Sequence, residues 1–75
     1  MGVIYVLINC ELGAEESIIE ELKKIEDVKE AFGIFGTHDI MVKLESDNMV
    51  NLRETVKWKI QKMDKIRSTN TLVRK

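Results

Sequence analysis

Residues 3–8 read VIYVLI, six apolar positions without a break and rich in β-branched side chains, which predicts a strand buried on both faces. The period then changes. In GAEESIIEELKKI, Ile18, Ile19, Leu22 and Ile25 fall on one stripe at about 100° per residue, and Glu15 and Glu16 stand where the dipole of a new helix favours acids. Two β-like runs follow, VKEAFGIFG and DIMVKLE, so close across Thr37–Asp39 that an antiparallel hairpin is the natural connection. Beyond SDN, whose Ser46 or Asp47 is placed to cap a helix, Met49, Leu52, Val56, Ile60 and Met63 mark a second apolar stripe. IRSTNTLVR closes the chain as a β-branched strand with Thr69, Thr71 and Val73 on one face.

The order β-α-β-β-α-β, with right-handed crossovers, predicts a ferredoxin-like α+β fold: a four-stranded antiparallel sheet with both helices on one face. Residues 1–75 read as one domain, with no linker or low-complexity segment. With the helices on one side, the other sheet face of a monomer should be polar, yet strand one and AFGIF are apolar at both parities. That face is expected to pack against another subunit, in the manner of a dimeric α+β barrel. Trp58, about 180° round the second helix from Met49, either joins such an interface or folds over its own helix.

Size points the same way. A 75-residue core supplies only about 3–5 kcal/mol before some staple is added. The single Cys10 rules out an internal disulfide, and one cysteine with one histidine cannot complete a structural zinc site. Self-association is the staple that remains. Cys10 reads as a small hydrophobe, and nothing in the spacing of Cys10, His38 and Asp39 brings them together for a metal.

Twelve basic and thirteen acidic side chains are interspersed, leaving no single-sign field to attract phosphate backbones. The central strands offer Ile, Met and Val where RNA recognition on a sheet needs stacking rings. The apolar start is too short for a signal-peptide core or a membrane span, and Val6 stands where myristoylation needs Ser or Thr. A cytoplasmic protein is the expectation.

The chemistry-bearing residues are Gly36, Thr37, His38 and Asp39 in the hairpin, and Ser68, Thr69 and Thr71 on the last strand. A free amino acid needs an anionic acceptor for its ammonium and donors for its carboxylate. Asp39 can supply the first, while backbone amides near Gly36 and the hydroxyls can supply the second. Simpler readings stand beside this: Asp39 bonding neighbouring backbone, Gly36 supplying positive φ, His38 as a turn residue, and the threonines as strand formers. A small dimeric ferredoxin-like enzyme using His38 as acid or base is the alternative function. The chain offers no second histidine, no nucleophile with an adjacent base and no cofactor motif to support it.

Taken in order, the VLIN strand, LGAEESIIEEL, VKEAFGIFGTHDIMVKL with its Gly-x-x-Asp turn, and IRSTNTLV resemble the ligand-binding (RAM) domain of the Lrp/AsnC family of amino-acid-responsive regulators over nearly the whole chain. The resemblance implies an effector site between subunits, formed by the Gly36–Asp39 turn and the hydroxyls of the last strand. Asp39 would hold the ammonium; turn amides and threonine hydroxyls would hold the carboxylate. It also implies dimers formed through the open sheet faces, and rings of those dimers. Two departures stand out. His38 occupies a position commonly tyrosine, so the effector's identity does not carry over. Strand one begins within a few residues of Met1, where family members usually carry a helix-turn-helix. The expectation is therefore a sensing module without a DNA-reading element, reaching transcription only through full-length relatives.

Overall fold

The computed structural model describes residues 2–74. Strand β1 (Gly2–Cys10) leads to helix α1 (Glu15–Lys23), then to the hairpin of β2 (Val28–Gly33) and β3 (Ile40–Ser46). Helix α2 (Met49–Thr55) runs on as one wider π turn over Val56–Ile60, and β4 (Ile66–Val73) ends the fold. The four strands form one sheet in the order β2-β3-β1-β4, with every neighbouring pair antiparallel. This is the ferredoxin-like arrangement expected from the hydrophobic pattern.

Alternation along β1 decides which face is core. Ile4, Val6, Ile8 and Cys10 are buried in the cluster that the helices cover, alongside Ile40, Val42 and Leu44 of β3. From the helices, Ile18 and Leu22 of α1 meet Leu52, Val56 and Ile60. Ile19, Ile25, Met49 and Met63 are partly buried at the margins of this core. Each step from Leu52 to Val56 to Ile60 is four residues, which on an α-helix drifts the stripe forward by about 40°. The wider π turn takes up that drift and keeps Ile60 in the core.

Three local expectations are corrected. Both helices lie on one side, so β1 is fully buried along one face; on the other Val3 is buried while Tyr5, Leu7 and Asn9 are half-buried. The cap of α2 is Asn48, whose Oδ1 accepts the Asn51 N–H at 3.1 Å, while Ser46 Oγ accepts the Asn48 N–H and Asp47 makes no cap. Strand β2 stops at Gly33, three residues before the end of the β-like run. Ile34 donates its N–H to the Asp39 carbonyl at 2.9 Å, Phe35 is fully exposed, and Gly36 turns the chain at φ +128°.

The open face carries an apolar band. Phe32 lies beside Met41, Met41 beside Leu7, and Tyr5 beside Leu72 across the strand pairings. In the single chain Phe32 and Leu72 keep 44% and 47% of their surface in water.

Candidate functional site

The hairpin turn is tied to the end of β1 through one residue. Asp39 donates its N–H to the Ile8 carbonyl at 2.9 Å, and its Oδ2 accepts the Cys10 N–H at the same distance. The carbonyl of Asp39 takes the Ile34 N–H, so this residue fixes the turn, the start of β3 and the end of β1 together. The simpler reading of Asp39, a carboxylate bonding backbone, is therefore realised, but with a partner 29 residues away rather than a neighbour.

That latch also brings Cys10 and Asp39 together, contrary to the spacing argument. Burial pushes the Cys10 thiol above its ordinary pKa; the carboxylates of Asp39 and Glu15 push it the same way and Arg67 opposes them. No group of three or more His, Cys, Asp or Glu side chains among the described residues is placed to hold a metal. Thr37 Oγ1 and His38 Nδ1 lie 3.0 Å apart at the exposed tip of the turn.

Beside the turn opens a cavity of about 410 Å³, lined by Glu15, Gly33, Ile34, Phe35 and Asp39. Its two carboxylates favour a positive group, and its apolar wall suits a hydrocarbon portion. Glu15 was legible in the sequence only as a helix-start acid. Its place in this cavity follows from the packing of α1 over the sheet end, which spacing alone does not reveal.

The last-strand residues divide by parity. Ser68 pairs with Asn9 and lies on the open face, where Asn9 Nδ2 donates to Ser68 Oγ at 3.3 Å. Thr69 pairs with Ile8 and Thr71 with Val6, which places both on the helix-covered face. Strand β1 separates them all from β3, a sideways distance of about 10 Å for two strand spacings. Thr71 lies two residues farther from the turn and lines a different cavity with Ile4 and Val56. Within one chain, Asp39 is the one of the four turn residues that lines the cavity with Glu15; Gly36, Thr37 and His38 precede it in the turn without lining that cavity, and Ser68, Thr69 and Thr71 stand outside it.

Trp58, 57% exposed, folds over its own helix: its Nε1 donates to Glu54 Oε2 at 2.6 Å, and the ammonium groups of Lys57 and Lys62 lie 5.3 and 5.7 Å from the ring centre. No helix of the described residues is long and apolar enough to cross a membrane.

The model of the Lrp/AsnC ligand binding domain matches residues 3–74. The chain is 33% identical over 58 residues to the regulatory protein AsnC of Haemophilus influenzae, a match covering 77% of this chain and 39% of that protein. Among solved structures, protein PHS023 from Pyrococcus horikoshii superposes with a TM-score of 0.93 at 32% identity, covering 100% of this chain and 90% of that one. FFRP-DM1 superposes with a TM-score of 0.94 at 32% identity, covering 100% of both chains. The chain spans 39% and 45% of the length of the curated relatives it matches.

Proposed function

Because the chain belongs to the Lrp/AsnC family and is a ligand-binding domain of it, we propose that it is an amino-acid-sensing regulatory module whose effector site is completed between copies of the chain. Lrp/AsnC ligand-binding domains bind small effectors, typically amino acids, and oligomerise. They are regulatory and not enzymatic, so the acid–base reading of His38 falls away.

The observation that carries the proposal is the apolar band of Tyr5, Leu7, Phe32, Met41 and Leu72 on the open face. A dimer formed across it removes that surface from water, contributing about 25 cal/mol per Å² of apolar area covered. The divided site is consistent with the same reading. Asp39, with Oδ2 already engaged, offers its other oxygen and its charge to an ammonium beside Glu15. On this reading the turn amides near Gly36 and the Thr37 hydroxyl turn toward the effector's carboxylate when it binds, with His38 as wall. Ser68, on the open face, supplies a hydroxyl from a neighbouring copy, while Thr69 and Thr71 lie on the helix-covered face of the edge strand and meet a neighbour only at that edge. Dimers join into rings, and the module acts in the cytoplasm on transcription through full-length relatives that share the sheet interface. The match to FFRP-DM1 along the whole of both chains supports a module of this size.

Sedimentation velocity with and without each of the twenty amino acids tests the proposal. A dimer or larger species whose size or thermal midpoint shifts with one or a few amino acids is expected. A monomer at all concentrations overturns the shared site; an oligomer indifferent to every amino acid overturns the effector.

A further inference from the structure

The cavity beside the turn holds one carboxylate more than an amino acid's ammonium needs. Its charged lining consists of Glu15 and Asp39, with no cation among the lining residues. Both carboxylates also act on the Cys10 thiol, which sets them around the same end of β1. Arg67 opposes them at that thiol from β4, but it does not line the cavity, and among the described residues neither carboxylate is in an ion pair. Asp39 has one oxygen engaged by the Cys10 N–H. Glu15, the first residue of α1, is half-buried and makes no such latch.

A charge count shows what this surplus selects. The start of α1 contributes about half a positive charge, so the two carboxylates keep a deficit of about one and a half. An amino acid with a neutral side chain is neutral overall and leaves that deficit in place, whereas one with a cationic side chain reduces it to about half a charge. The wall between the two carboxylates is open to a ligand: Ile34 is half-buried and Phe35 is fully exposed. A chain of methylenes carrying a terminal cation covers such a wall while keeping its charge at the polar end. At about 410 Å³ the cavity has room for both.

Resting on the effector reading of the Gly36–Asp39 turn, we infer that this cavity selects amino acids with a cationic side chain, and that Glu15 is the residue that selects them. The α-ammonium goes to Asp39, the side-chain cation goes to Glu15, and the methylenes between them lie across Ile34 and Phe35. A diamine without a carboxylate meets both acids but offers nothing to the turn amides.

Isothermal titration calorimetry of the full chain with lysine, norleucine, Nε-acetyl-lysine and cadaverine tests this. Lysine is expected to bind about fivefold more tightly than norleucine, the upper range for a charge pair open to solvent. Acetyl-lysine, of similar length without the charge, should match norleucine, and cadaverine should bind more weakly than lysine. Glu15→Gln should bring the ratio of lysine to norleucine affinity to about one, and Glu15→Asp, which keeps the charge, should preserve the preference. A merely structural role of Glu15 would weaken lysine and norleucine alike and leave their ratio unchanged, which overturns the assignment. Norleucine or acetyl-lysine binding the wild type as tightly as lysine overturns the selection while leaving the effector reading intact. Cadaverine as strong as lysine overturns the amino acid as the ligand. No binding by any of the twenty amino acids overturns the effector reading itself.

Discussion

Replacing Asp39 separates its two duties. In Asp39→Ala the Cys10 N–H, on a residue only 6% exposed, loses a carboxylate acceptor at 2.9 Å. A hydrogen bond to a charged group contributes about 1.5–3 kcal/mol, and leaving its buried partner unpaired costs a similar amount. Taking about 2 kcal/mol, and about 4–8 °C per kcal/mol for a domain of this size, the thermal midpoint should fall by about 8–16 °C. Asp39→Asn keeps an oxygen acceptor in place and gives up only the charge, so its loss should stay near 1 kcal/mol. Urea unfolding followed by far-UV circular dichroism at one fixed protein concentration reads both variants, since association contributes to apparent stability. Effector-induced stabilisation should vanish in both, because an amide does not pair with an ammonium as a carboxylate does. If Asp39→Ala unfolds at the wild-type midpoint, the latch between the turn and β1 contributes nothing. If Asp39→Asn responds to amino acids as the wild type does, the charge is not what binds them.

Leu7→Asp places a charge in the apolar band of the open face, beside Met41; it should sediment as a monomer with an unchanged far-UV spectrum, and a dimer would show that this face is not the interface. Gly36→Ala meets no neighbouring atom but must hold φ at +128°, so backbone strain should cost about 1–3 kcal/mol in urea unfolding. The raised pKa of Cys10 favours the protonated thiol in the folded chain. Its stabilising effect is complete below the unfolded thiol pKa of about 8.5 and is lost as pH rises through the higher folded value. Stability should therefore decline in that window, and Cys10→Ala should remove this part of the slope.

Much of the fold was legible because burial on a helix or strand recurs with the period of its backbone. Ile18 and Leu22, then Leu52, Val56 and Ile60, occupy the core that their spacing predicts. The start of α2 was less so. Ser46, Asp47 and Asn48 are all competent caps, and the extended backbone at Asn48 decides among them. The hairpin was longer in sequence than in space, since the apolar character of Ile34 and Phe35 reads as strand while pairing ends with the Ile34 N–H on the Asp39 carbonyl and Phe35 stands exposed. Asp39 was legible as a carboxylate at a turn that bonds backbone. Its partner Cys10 was not, because their meeting depends on the register of β1 against β3.

By itself, then, the order of residues determined the sequence of elements, the apolar face of each helix and the chemistry concentrated at Gly36–Asp39. Those properties follow from short-range periodicity and from side-chain type. Only the tertiary structure decided that Ser68 lies on the open face and Thr69 on the helix-covered one, that Glu15 joins Asp39 at one cavity, and that Thr71 joins Arg53 and Lys57 at another. Strand register is settled by pairing between distant segments, and a shift of one residue would carry Ser68, Thr69 and Thr71 to the other face.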